Sequence, residues 1–96
     1  MRIAKVIGNV TLSRCHPTFT GARLRVCIPM SYEELIEERD PQGDSLVAWD
    51  QLGAGVGSLI GLSEGPEASQ PFRPDIKPVD AYAAAILDDV QVTRLE

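Results

Sequence analysis

Apolar and polar positions alternate from the first residues. Ala4, Val6, Gly8, Val10 and Leu12 share one face, and Lys5, Asn9, Thr11 and Ser13 share the other with Ile3 and Ile7. A period of two over residues 2–13 predicts a long, half-buried β-strand. Gly8 interrupts it, as at a bulge or barrel bend. Residues 15–21 read as a turn punctuated by Pro17 and Gly21. Alternation resumes over 23–28, with Leu24, Val26 and Ile28 expected inward and Arg23, Arg25 and Cys27 outward, and Pro29 ends that strand.

Ser31 followed by Glu34 has the spacing of a capping box. It predicts a short helix through Arg39, although residues 31–40 would also serve as a polar hairpin arm. Asp40-Pro41-Gln42-Gly43 is a turn. Residues 46–50 form a third strand, and Leu59, Ile60 and Leu62 mark a fourth. Residues 64–78, with four prolines, read as loop. The last segment fits two periods. Val79, Tyr82, Ala83, Ile86, Leu87 and Val90 make a helical stripe, and Ala84, Ile86, Val90 and Val92 make a strand face. A helical turn over residues 79–82 followed by a strand to Thr93 reconciles them. Five short strands separated by Gly and Pro predict an all-β chain with minor helix, closed or nearly closed into a small barrel that hides its strand edges.

Ninety-six residues make one expected domain, 1–96, with a modest core that oligomerisation would reinforce. The net charge of −5 disfavours a general nucleic-acid binder, which needs cations to displace counterions from phosphate. Charge is unevenly placed. Up to Tyr32 there are five basic residues and no acid; from Glu33 onward there are four basic and fourteen acidic residues. Complementary faces, within the fold or between copies, account for such segregation. Cys15 and Cys27 lack a CxxC spacing, and sequence does not distinguish a disulfide from two thiols. No secretory signal or membrane-spanning run is evident, so a cytoplasmic location with reduced thiols is expected.

Candidate chemistry is sparse. The Gly53-Ala54-Gly55-Val56-Gly57 run lacks the third glycine of a dinucleotide fingerprint, where Ser58 stands, and lacks the lysine of a phosphate loop. It reads as a tight backbone segment at a barrel corner or subunit contact. Cys15 beside His16 is not a catalytic pair by adjacency alone, and one histidine falls short of a zinc site. His16 before Pro17 is a turn residue. Glu33, Glu34, Glu37 and Glu38 are expected on a solvated helix face, and Asp88 and Asp89 on opposite strand faces. Trp49 is expected as a core or interface anchor. No catalytic residue, cofactor site or metal site is assigned.

Four linked motifs carry a family resemblance. The opening Met1-Arg2-Ile3-Ala4-Lys5-Val6-Ile7-Gly8-Asn9-Val10 resembles the start of the bacterial microcompartment vertex proteins, the ethanolamine-utilisation and carboxysome pentamer family. His16-Pro17, then Gly21 and a Leu/Val-rich strand, is similar to their next element. Asp50-Gln51-Leu52-Gly53-Ala54-Gly55-Val56-Gly57 resembles their D-x-x-G-A-G-x-G signature, and Pro78-Val79-Asp80-Ala81 with Ile86-Leu87-Asp88 and Val90 resembles their closing block. Gly65-Pro66-Glu67-Ala68-Ser69 departs from the family's G-S-S-A-R-like run and lacks its arginine, and the 31–40 segment is unusually acidic.

The resemblance implies an oligonucleotide-binding-like (OB-like) five-stranded barrel. It implies a homopentamer that caps the fivefold vertices of a microcompartment shell, in the cytoplasm, beside hexameric and pseudohexameric shell proteins, with no enzyme activity and no nucleic-acid or membrane partner. A head-to-tail ring needs a packed seam. Asp50, Gly53, Ala54, Gly55 and Gly57 are the first candidates for interface or axis, and Pro78, Val79, Asp80 and Ala81 the second. The competing expectations are a monomeric OB-like barrel binding nucleic acid or peptide, and a small enzyme using Cys15 or the acidic residues.

Overall fold

The computed structural model describes residues 1–95. Five strands, β1 (Arg2–Val10), β2 (Leu24–Pro29), β3 (Leu46–Trp49), β4 (Leu59–Glu64) and β5 (Ala81–Leu87), close into a barrel in the order β1-β2-β3-β5-β4. All neighbours are antiparallel except β3 and β5, which meet in parallel through one pair, Trp49 and Tyr82. Five strands enclose little space. The interior is correspondingly built from small residues, Ala4, Ala48, Ala54 and Ala83, around Val6, Cys27, Ile60 and Leu62.

The phase of β2 is opposite to the expected one. Cys27 is wholly buried in the barrel and Arg25 points the same way, whereas Leu24, Val26 and Ile28 lie on the outer face. The cause is the bulge in β1. Val6 pairs with Cys27, the register then shifts, and Gly8 pairs with Val26. One extra residue turns the following side chains to the other face. Asn9 therefore joins the inner face beside Arg25, and Val10 turns outward. The outer face is no less apolar, because a second cluster covers it. Leu24, Trp49 and Phe72 are buried there, with Val10, Phe19, Ala22, Val79 and Tyr82 packed against them. Trp49 stacks on Phe19 at 5.7 Å between ring centroids, and Phe72 stands edge-on to both Trp49 and Tyr82.

Three boundaries also depart from expectation. β1 stops at Val10, not at residue 13. Residues 64–78 are not simply loop: Gly65–Phe72 forms a 3-10 helix that buries Ala68 and Phe72 against β4 and β5. No helical turn occupies residues 79–82, and β5 ends at Leu87, where its partner Leu59 begins β4, rather than at Thr93.

Helix α1 (Tyr32–Glu37) starts at the expected capping box. Glu34 is not on its solvated face, however. It is 7% exposed, and its carboxylate accepts from the Ser31 N–H at 2.9 Å and the Gln42 N–H at 2.7 Å. Those two bonds, Ser31's first, hold the Glu34 carboxyl below the usual glutamate range and tie the helix to the following turn. The tail returns to this helix: the Tyr32 hydroxyl donates to the Thr93 carbonyl at 3.1 Å and accepts from the Leu95 N–H at 2.6 Å.

Tyr32→Phe removes only that bracket. It is expected to lower global stability by no more than about 1 kcal/mol while abolishing protection of the Leu95 amide, measured by hydrogen exchange.

Candidate assembly surface

The turn after β3 is organised by one carboxylate. Asp50 is fully buried in the chain. Its Oδ1 accepts from the backbone N–H of Leu52 at 2.9 Å and of Gly53 at 3.1 Å. Its Oδ2 accepts from the Ala54 N–H at 2.7 Å and from Arg25 Nε at 3.0 Å. Arg25 in turn donates to Asn9 Oδ1 at 2.7 Å. Burial pushes the Asp50 carboxyl up, but the Leu52 N–H, Arg25 and the Ala54 and Gly53 N–H groups together outweigh it and hold the group below its ordinary value. The acid is therefore a fixed charge at neutral pH, compensated on all sides.

This knot shapes the loop beyond it. Ala54 is drawn into the barrel core, fully buried, while Leu52 and Val56 on either side are 50% and 64% exposed. Gly53 and Gly57 adopt positive φ of 86° and 93°, which a side chain would strain. The loop's far end is pinned to β1, where Gly57 N donates to Val6 O and Val6 N donates to Ser58 O. Gly55 has no positive φ, and a Cβ at that position would meet no atom within 4 Å, so nothing within the chain requires glycine there.

The second candidate segment lines a groove. Pro78, Val79, Asp80 and Ala81 face Phe19, Leu24, Val47 and Trp49 across a depression of about 240 Å³. Asp80 is exposed there, and its backbone carbonyl accepts from the Gly65 N–H at 2.9 Å. The two candidate segments adjoin through Tyr82, whose hydroxyl donates to Gln51 Oε1 at 2.7 Å. Arg25 and Asn9 belong to this site although alternation alone places them on the outer face. The signal that bears on them is Gly8, because a bulge there reverses the phase of the residues beyond it.

The remaining candidates take structural positions. His16 accepts from the Thr18 N–H at 3.2 Å through Nδ1 and caps the 3-10 turn Pro17–Phe19. Cys15 and Cys27 are both free thiols, one exposed and one buried. Burial foremost raises the Cys27 thiol to about 11. Much of the charge segregation resolves inside the fold: Arg2 pairs with Glu64, Lys5 with Asp40 and Arg25 with Asp50. Among the described residues there is no cluster of three or more His, Cys, Asp or Glu able to hold a metal.

Asp50→Ala leaves Arg25 and three N–H groups without their acceptor and is expected to cost about 3–5 kcal/mol, read as a lowered denaturation midpoint. The sign with pH follows from the lowered carboxyl. Stability from Asp50 is complete above the unfolded value of 3.8 and is lost as pH falls from there through the folded value. Glu34, Asp40 and Glu64 are lowered too and act in the same direction. The melting temperature therefore falls in that acid range, and less steeply for Asp50→Asn. With an aromatic disulfide reagent at mildly alkaline pH, Cys15 is expected to react at once and Cys27 only on unfolding.

The family model described as ethanolamine utilisation protein EutN/carboxysome matches residues 1–88. The chain is 33% identical over 94 residues to the bacterial microcompartment shell vertex protein GrpN of Rhodospirillum rubrum, covering 98% of this chain and 100% of that one. It is 34% identical over 90 residues to the carboxysome shell vertex protein CcmL of Thermosynechococcus vestitus, covering 94% and 86%. The structure described as the GrpN pentameric microcompartment shell protein from Rhodospirillum rubrum superposes with a TM-score of 0.79 at 26% identity, over 98% of this chain and 100% of that one. A barrel of the same extent, the same turn signature and a match from residue 1 to residue 88 place this chain in the EutN/CcmL family.

Proposed function

We propose that this chain, as one vertex domain over residues 1–96, is a non-catalytic shell subunit that assembles into a cyclic homopentamer and caps the fivefold vertices of a bacterial microcompartment in the cytoplasm. The observation that carries this is the near-complete superposition on a pentameric microcompartment shell protein. The physical logic agrees with it. A flat layer of hexagonal tiles has no curvature, and fivefold units supply the closure. The partners are therefore further copies of the chain and, around the ring, hexameric and pseudohexameric shell proteins.

The chain's own features support a building block. Its buried charges serve the fold: Asp50 holds its turn, Glu34 its helix. Outward it offers a rigid loop with Leu52 and Val56 exposed, and a groove bounded by residues 78–81. Rigid apolar side chains held in water are a mark of an association surface. Asp50 and Ala54 serve such a seam from beneath, by fixing the backbone of Gly53, Gly55 and Gly57, since their own side chains are enclosed by the chain.

Native mass spectrometry at micromolar concentration is expected to give a species of five times the 10.4 kDa chain mass. A monomer under those conditions, or salt-dependent binding to an oligonucleotide, contradicts the proposal.

A further inference from the structure

A head-to-tail ring requires each copy to carry two different surfaces that fit one another. The molecule presents one such pair. The first is the loop bearing Leu52 and Val56, fixed at both ends by Asp50 and by β1 and so preorganised for contact. Arg23 stands at its base, exposed, with one guanidinium nitrogen donating to the Gln51 carbonyl at 3.1 Å. The second is the groove floored by Leu24 and Trp49 and walled by Phe19, Val47, Pro78 and Val79, with Asp80 on its rim.

The charges complement one another. The five N-terminal cations include three with carboxylate partners in the fold, and Arg23 is not among them. Among the described residues, Arg23 makes no ion pair and the Asp80 carboxylate accepts no hydrogen bond. An apolar projection with a free cation beside it thus has its counterpart in an apolar groove with a free anion beside it. Gly55 fits the same picture: its lack of a side chain answers no need within the chain and leaves the loop's crest open to close approach.

We propose that the Leu52–Val56 crest of one copy seats in the Trp49–Val79 groove of the next copy, with Arg23 of the first against Asp80 of the second. This contact rests on the ring proposed above and names its two halves. It predicts a seam that is apolar at its centre and steered by one ion pair at its rim, so that charge sets the register and the apolar residues hold it.

The test is a charge exchange read by native mass spectrometry across a concentration series, with thermal melts as the folding control. Arg23→Asp and Asp80→Arg are each expected to raise the concentration at which the pentamer dissociates by roughly tenfold or more. The double exchange is expected to recover most of that loss. Val56→Ser, at a side chain mostly in water, is expected to weaken the ring without changing the monomer's melt, and it carries the test if a charge variant fails to fold. A pentamer indifferent to both single exchanges and to Val56→Ser leaves the ring standing and overturns the contact. So does a double exchange no better than either single one. A wild-type monomer or dimer overturns the ring itself.

Discussion

The structure depends on a carboxylate placed where an all-apolar barrel would have none. Asp50 sits fully buried at the end of β3 and receives four hydrogen bonds, three from the turn after it and one from Arg25. A buried carboxylate alone would be prohibitive, and its cost is offset only because every bond is made. The same bonds dictate the neighbourhood. Arg25 must face inward, so β2 runs in the phase that places Cys27 in the core. Asn9 must face Arg25, so β1 needs its bulge. Ala54 must turn under the loop, which leaves Leu52 and Val56 outside. One charge therefore links strand register, core composition and the shape of the outward surface.

A barrel this narrow has room for few large side chains, and the chain compensates outside it. Trp49, Phe72, Leu24 and Phe19 build a second apolar cluster over β2 and β3, closed by the 3-10 helix Gly65–Phe72. Together the two clusters make a rigid wedge from a short chain. That suits a subunit whose task is to hold an angle between neighbours. The family's relatives are named for that task at shell vertices, and the rigid loop and facing groove are the means by which this chain would share in it.

Much of this was legible in the sequence, for identifiable reasons. Strong alternation and Gly/Pro punctuation marked five strands and closure, and Ser31 with Glu34 marked the helix start. The phase of β2 was not legible, because both of its faces are partly apolar and the burial of Arg25 depends on a partner 25 residues away. The helix Gly65–Phe72 was hidden by its prolines, which disfavour an α-helix but suit the tighter 3-10 form at its start. The end of β5 was overrun because Val90 and Val92 continue the alternation after the pairing partner has ended. In the candidate surface, the segments 50–57 and 78–81 were found by resemblance. The physics that organises them, a buried acid accepting from its own turn and from Arg25, appeared only with the three-dimensional structure.

Site-resolved amide hydrogen exchange on the native protein tests most directly whether Asp50 makes that loop rigid. Leu52 and Gly53 are exposed loop residues, yet their N–H groups donate to a buried carboxylate. The account predicts that these two amides, with that of Ala54, exchange as slowly as the barrel strands and only through global unfolding. Exchange at the rate of an open surface turn would contradict it.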